Sequence, residues 1–286
     1  MKRRLLIILA LWGIAQLGYA QCENVTIESI SNYTAFTIDS LYEADGLRNG
    51  DDYDGATLYF PAEGKKKLKS IVLVPGYKAT QRSVSLWARY FAQRGYVAMT
   101  IGTNELKDSP ALRAKALIDG METIRAENKR RSSPLHKKID TRKIAVGGWS
   151  MGGGGAQLAA ALDDRIKAVI AIAPWLYPRN LKESDLEHDV PVLIISGQVD
   201  PTAPPERHSD VHYSYTPAST KKMLYEISEG NHSTPLFPST GNGDVGNVAF
   251  AWLEMNLSDN NCYAEMLKTN ALDQHATASK HQTNVN

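Results

Sequence analysis

Hydrophobic and polar positions are ordered along most of the chain in a way that predicts strands and helices in turn. Short runs rich in β-branched residues are separated by longer amphipathic stretches. The predicted strands are 56–60, 70–74, 97–101, 143–147, 168–172, 192–196 and 222–227. The predicted helices are 84–94, 110–128, 151–162 and 245–257. This alternation is typical of an α/β fold, in which a mostly parallel central sheet has helices on both faces.

The start of the chain departs from this pattern. Three basic residues, Lys2, Arg3 and Arg4, precede an apolar run that ends near residue 17, and small residues follow. This order predicts a signal peptide over residues 1–20, because the run is too short for a membrane span. A membrane anchor is the alternative. A lipid-modified Cys22 is disfavoured, because a glutamine precedes it where the lipidation signal needs a small residue.

The remainder of the chain predicts one domain followed by a polar end. Residues 21–262 show no change of composition that would indicate a second domain. Residues 263–286 are polar, and most of them follow no apolar period. We therefore expect a flexible tail there.

Composition and charge narrow the classes of function. The 286 residues are 43% hydrophobic, which is enough for one large core, and the formal net charge is +1. Loss of the three basic residues of the leader would change this charge to −2, so nothing indicates a nucleic-acid partner. The seven histidines show no metal-ligand spacing. We expect one disulfide between Cys22 and Cys262, the two cysteines of an exported chain.

The predicted strand 143–147 ends at a glycine-rich turn that contains a candidate nucleophile. The turn reads Gly148-Trp149-Ser150-Met151-Gly152, and a helical run follows it. A G-x-S-x-G segment between a strand and a helix is typical of a nucleophile elbow, in which the glycines leave space for neighbouring backbone. We therefore expect Ser150 to be the nucleophile and the Met151 N–H to stabilise an oxyanion.

Two later strands end at a candidate acid and a candidate base. A serine hydroxyl needs a histidine that accepts its proton, and a carboxylate orients that histidine. Asp200 follows strand 192–196 and His232 follows strand 222–227, in the chain order Ser, Asp, His that this kind of elbow requires. Alternative histidines are His136, His188, His208, His212, His275 and His281. Alternative acids are Asp185, Asp189 and Asp210.

A second oxyanion donor is expected in the loop after an early strand. The buried run 71–74 ends at Pro75-Gly76-Tyr77, so the N–H of Tyr77 is the candidate. The alternative is that Pro75-Gly76 is only a turn and that Tyr77 only packs at the surface.

Taken together, these segments resemble the bacterial cutinase-like polyester hydrolases, including the polyethylene terephthalate hydrolases, within the dienelactone-hydrolase-like group. The residues that show the resemblance are Val74-Pro75-Gly76-Tyr77, 148–155, Ala173-Pro174-Trp175, Asp200 with Ala203-Pro204, and His232-Ser233. The similarity extends from about residue 53 to residue 262. It implies an α/β-hydrolase fold without a large lid and acyl transfer through Ser150.

The resemblance also implies substrate-binding roles. Tyr77 and Trp175 match the aromatic pair that contacts the acyl ring, and Tyr77 and Met151 match the oxyanion donors. Trp149 and Ser233 match the polyethylene terephthalate hydrolases, whereas His208 matches the ordinary cutinases, in which this residue limits movement of the Trp175 ring. The substrate preference therefore stays open.

The sequence also differs from the family. Gly197 and Thr234 replace a cysteine pair near the active site, so that disulfide cannot form. The connection 176–190 is a few residues longer than usual, so it could reshape one wall of the cleft.

The resulting hypothesis is a secreted, monomeric carboxylic-ester hydrolase that cleaves polyesters, with residues 21–262 as its catalytic domain. It is expected to need no cofactor and no metal, and to have no membrane attachment after cleavage of the leader. A secreted carboxylesterase or lipid-ester hydrolase for small esters is the first alternative. The second is a non-enzymatic binding protein on the same scaffold.

Overall fold

A single mixed sheet runs through the described part of the protein. The computed structural model describes residues 30, 34–63, 67–177, 179–258, 260–273 and 276–285. Within these ranges the strands are β1 (Ile38–Leu41), β2 (Ala56–Pro61), β3 (Leu68–Val74), β4 (Val97–Ile101), β5 (Ile139–Trp149), β6 (Val169–Ile172), β7 (Val192–Gly197), β8 (Lys222–Ile227) and β9 (Ala278–Thr283). Their order in the sheet is β1-β2-β4-β3-β5-β6-β7-β8-β9. Strands β3 to β8 are parallel, and β1, β2 and β9 add antiparallel pairs at the two edges.

The helices of the described residues connect these strands. They are α1 (Ser85–Ala92), α2 (Pro110–Lys129), α3 (Met151–Leu162), α4 (Ser209–Tyr215), α5 (Asp244–Leu257), α6 (Cys262–Met266) and α7 (Thr269–Leu272). The predicted strands and helices are confirmed with boundary shifts of a few residues. The edge strands β1 and β9 and the short helices α4, α6 and α7 were not predicted, because short polar segments give no clear period.

The hydrophobic core has two layers, one on each face of the sheet. Side chains of a strand point alternately to opposite faces, so Ile71 and Val72 of β3 enter different layers. Ile71 belongs to the layer that contains Trp252 of α5, and Val72 to the layer that contains Leu117 of α2. All four side chains are buried, and burial of each of the three aliphatic ones is worth about 1.5–3 kcal/mol. This arrangement confirms the predicted α/β-hydrolase fold.

The C-terminal segment corrects one expectation. Residues 263–286 were expected to form a flexible tail, but β9 lies within them and pairs with β8. Lys280 Nζ lies 2.7 Å from Asp210 Oδ1 and 3.2 Å from Glu226 Oε2. Backbone hydrogen bonds to β8 and the ion pairs of Lys280 stabilise this edge strand. A strand held in this way can form without alternating apolar residues, which is why the sequence pattern did not predict it.

Other expectations concern residues outside the described ranges. The predicted signal peptide, Cys22 and His275 all lie there, so the leader and the disulfide to Cys262 stay predictions. Across the residues that the structure describes, no helix combines the length and the apolar character that a membrane crossing would need.

Candidate active site

Ser150 lies at a strained turn between β5 and α3. Its φ of 56° and ψ of −121° are unusual for a residue with a side chain, a strain of about 1–3 kcal/mol. The surrounding backbone holds this conformation: the Ser150 N–H donates to the Ile172 carbonyl at 2.8 Å. The Ser150 carbonyl accepts from the N–H groups of Gly154 at 3.1 Å and Trp175 at 2.9 Å. The turn has the geometry expected of a nucleophile elbow.

Two glycines of the turn are required by close backbone packing. A Cβ atom on Gly148 would lie 2.5 Å from the carbonyl oxygen of Gly152, and one on Gly152 would lie 2.4 Å from that of Val74. Gly76 is also restricted, because its Cβ would lie 2.8 Å from Cβ of Ser150. The loop after β3 therefore lies directly against the serine.

Asp200 and His232 are joined by a direct hydrogen bond. Asp200 Oδ2 lies 2.6 Å from His232 Nδ1. The other oxygen, Oδ1, accepts from the N–H groups of Thr202 at 2.8 Å and Ala203 at 2.9 Å. The carboxylate is completely buried, and all its described partners are donors. It therefore fixes the direction of the His232 ring.

The protonation state of Asp200 results from opposing effects. Burial by itself would raise the pKa of the carboxyl, but hydrogen bonds from His232 and from the backbone of Ala203 and Thr202 outweigh it. The pKa of Asp200 is consequently lowered below its ordinary value. An ionised carboxylate accepts only, so Nδ1 of His232 is the donor, and Nε2 is free to accept a proton.

Trp149 connects the serine turn to the histidine loop. Its Nε1 donates to the carbonyl oxygen of His232 at 2.9 Å, and the two rings lie 5.1 Å apart between centroids. Trp149 immediately precedes Ser150, so this bond holds the turn close to the histidine. The exposed Ser233 follows His232, and its N–H donates to Asn231 Oδ1 at 2.9 Å.

The two candidate oxyanion donors lie on either side of this turn. Met151 is the first residue of α3, where backbone N–H groups lack acceptors within the helix and the helix dipole is positive. Tyr77 lies in the loop after β3, and 46% of the residue is exposed. The close contact between Gly76 and Ser150 brings this loop to the serine.

Arg113 holds the Tyr77 loop and was missed by the sequence reasoning. Its guanidinium donates to the carbonyl oxygens of Pro75 at 3.0 Å, Leu106 at 3.2 Å and Asp108 at 3.1 Å. Burial lowers its pKa to about 10, which still leaves it charged at neutral pH. The sequence did contain a sign of this role: Arg113 lies four residues before Leu117, on the face of α2 that points to the core, where a charged residue is unusual.

Trp175 packs against a buried histidine pair. Its ring lies 6.1 Å from that of His208, which lies 6.1 Å from that of His212. His212 Nδ1 lies 3.0 Å from Gln157 Nε2 of α3. Burial lowers the pKa of His208 to about 4 and that of His212 to about 3. Both imidazoles are therefore neutral at pH 7.

The other described histidines lie elsewhere. His136 and His188 precede β5 and β7, at the ends of these strands opposite to the serine turn. His281 is in β9, where Nε2 lies 3.2 Å from Asp273 Oδ1. Only His232 and His208, among the candidates with described positions, adjoin the aromatic residues Trp149 and Trp175.

Gly197 and Thr234 lie at the two positions where the resemblance would place a cysteine pair. A Cβ on Gly197 would lie 2.4 Å from the carbonyl oxygen of Gly230, so the backbone leaves no space for a cysteine there without a shift. Thr234 Oγ1 instead accepts from the Asn231 N–H at 2.9 Å. In the described part of the chain, no group of three or more potential ligand residues is placed to hold a metal ion.

Comparisons with known proteins show which family the chain is similar to. A family model described as "PETase: PET hydrolase-like" matches residues 23–286. Cutinase est1 of Thermobifida alba is 33% identical over 217 residues, 76% of this chain and 70% of the relative. Cutinase 2 of Thermobifida cellulosilytica is 32% identical over 217 residues, 76% of this chain and 79% of the relative. Bis(hydroxyethyl) terephthalate hydrolase of Streptomyces coelicolor is 30% identical over 216 residues, 75% of this chain and 66% of the relative.

Proposed function

The chain belongs to the PET hydrolase-like family of carboxylic-ester hydrolases, and we propose that it is a secreted enzyme that cleaves polyesters through Ser150, His232 and Asp200. The observation that supports the triad most directly is the buried Asp200, whose two oxygens accept from two backbone N–H groups and from His232. Such a carboxylate is ionised and orients the imidazole, which is the role that acyl transfer requires.

The proposed reaction has two steps. His232 Nε2 accepts the hydroxyl proton while Ser150 Oγ attacks the ester carbonyl, and the tetrahedral oxyanion accepts hydrogen bonds from the N–H groups of Met151 and Tyr77. The alcohol leaves with the proton from His232, and an acyl-enzyme forms. Water then gives a proton to His232 and attacks the acyl-enzyme. The acid is released, and the proton returns to Ser150.

The residues around the serine support an aromatic acyl group as substrate. Tyr77 is half exposed and Trp175 is partly exposed. The backbone N–H of Trp175 donates to the Ser150 carbonyl, which places Trp175 next to the serine. Two such rings can hold a flat acyl group by offset stacking, worth about 0.5–1.5 kcal/mol per pair beyond burial. Ser233 is small and exposed, so it leaves space beside His232 for a polymer chain.

The test combines active-site labelling with a polymer assay. A fluorophosphonate probe should label the wild-type protein at Ser150, the Ser150→Ala variant should not react, and Ser83→Ala should label normally as a matched control. A terephthalate polyester film should release aromatic acid. Labelling that persists in Ser150→Ala protein would refute the nucleophile. Turnover of p-nitrophenyl esters without film hydrolysis would indicate a small-ester hydrolase, and neither activity would indicate a binding protein.

A further inference from the structure

A groove of about 620 Å³ lies beside Trp175 and is not used by the proposed triad. Its lining includes Trp175, Arg179, Leu181, Arg207, His208 and Tyr215. Pro201 and Thr202 also line it, and these two residues directly follow Asp200. The groove therefore reaches the candidate active site at the Trp175 ring and at the Asp200 loop.

The groove is formed partly by the connection between β6 and β7, which is expected from the resemblance to be longer than in the family. Arg179 and Leu181 belong to residues 176–190, between β6 and β7. Further lining residues come from the short 3-10 helix Pro205–Arg207 and from Val211 and Tyr215 of α4. This connection thus supplies one cation and one apolar side chain to this surface.

The chemistry of the lining combines an apolar body with cations. Trp175, Leu181 and Tyr215 offer ring and aliphatic surface, which suits an aromatic group. Arg179 and Arg207 are exposed, and within the described residues neither forms an ion pair.

Two further groups of the lining complete this picture. Glu206 provides one negative charge against the two guanidinium groups, so the lining keeps a net positive charge. His208 is 3% exposed, and its Nδ1 has no hydrogen-bond partner among the described residues. A buried polar atom without a partner is uncommon, and a ligand in the groove could supply one.

We propose that this groove binds the carboxylate end of an aromatic half-ester or of a cut polyester chain, next to the scissile ester. The inference rests on the proposed function, because each hydrolysis of an aromatic polyester leaves a new aromatic carboxylate. Arginine binds carboxylates in a bidentate manner and also stacks on aromatic rings. The groove would thus favour anionic chain ends over neutral diesters of the same acid.

Kinetics with two matched substrates test the inference. Mono(2-hydroxyethyl) terephthalate is anionic, and bis(2-hydroxyethyl) terephthalate is its neutral counterpart. In the Arg179→Gln/Arg207→Gln variant we expect kcat/KM for the anionic ester to fall about threefold to tenfold, which lies within the range of about twofold to thirtyfold for two exposed charge pairs. The neutral ester should change less than twofold. Arg131→Gln, an exposed arginine of a turn outside the groove, is the matched control. The effect should shrink at 1 M salt.

A binding measurement separates this inference from the proposed function. Calorimetric titration of Ser150→Ala protein with the anionic half-ester needs no catalysis, and the two arginine replacements should weaken binding by a similar factor. Equal effects on the two esters, or no effect of the arginine replacements on binding, would overturn the inference. A wild-type protein that hydrolyses neither ester but binds the half-ester through the arginines would refute only the proposed function.

Discussion

Replacement of Asp200 by Asn tests the proposed triad, because the two side chains share a shape and differ in charge and donors. Asp200 Oδ1 accepts from the N–H groups of Thr202 and Ala203 at 2.8 and 2.9 Å. An amide NH₂ cannot accept these bonds, so the amide oxygen of Asn should occupy this position. The NH₂ group must then face His232 Nδ1, which is 2.6 Å from the carboxylate in the structure.

An NH₂ donor beside Nδ1 stabilises the wrong tautomer of His232. The ring proton then lies on Nε2, which can no longer accept the proton of Ser150. The corresponding replacement in serine proteases lowers kcat by about 10⁴, equal to about 5.4 kcal/mol of lost transition-state stabilisation. We expect a loss of similar size in kcat here. KM should change little, because the buried Asp200 is not proposed to contact substrate.

The assay is hydrolysis of p-nitrophenyl acetate by purified variants whose thermal unfolding confirms that they fold. Asp189→Asn is the matched control, because Asp189 is exposed and precedes β7 at the opposite end of the sheet. His232→Ala should lose kcat by about 10⁴ or more, since triad members act as a unit. A loss of kcat of less than about tenfold in Asp200→Asn would refute the tautomer argument. A greater loss of kcat in Asp189→Asn than in Asp200→Asn would refute it too.

Three other predictions concern the substrate, the chain ends and acid stability. Trp175→Ala should reduce film hydrolysis more than p-nitrophenyl ester hydrolysis, and equal losses would contradict the aromatic contact. Thiol labelling of denatured, unreduced protein should find no free thiols if Cys22 and Cys262 are bonded; two labelled thiols would contradict the bridge. The buried His212 has a pKa of about 3, so the unfolded chain binds its proton first as pH falls below 6.5, and stability decreases. The free energy of unfolding in urea should therefore fall less steeply between pH 6 and pH 4 in His212→Leu than in the wild type, by up to about 1.4 kcal/mol per pH unit. His136→Gln is the control and should keep the wild-type slope. The same slope in His212→Leu as in the wild type would refute this prediction.

Local sequence was sufficient to predict much of the fold and the candidate triad. Strands β4 and β8 and helix α3 were predicted with the boundaries that the structure has, because their periods are set by near neighbours in the chain. Ser150, Asp200 and His232 could be selected because each follows a predicted strand, and because parallel strands bring their carboxyl ends to one edge. The glycines of the serine turn were expected to leave space for neighbouring backbone, and the close contacts around Gly148 and Gly152 agree with this expectation.

The tertiary structure decided the features that depend on residues far apart in the chain. Trp149 and His232 are 83 positions apart, and Arg113 and Pro75 are 38 positions apart. Such hydrogen bonds have no period or motif, because they arise only when distant segments pack together.

The same reasoning applies to β9 and to the groove beside Trp175. β9 is held by pairing with β8, which no local pattern encodes. The groove needs side chains from two connections that meet only in the folded chain. Local patterns therefore determined the elements and the identity of the candidate catalytic residues. Long-range packing decided which surfaces surround those residues, since each such contact joins groups that the sequence keeps apart.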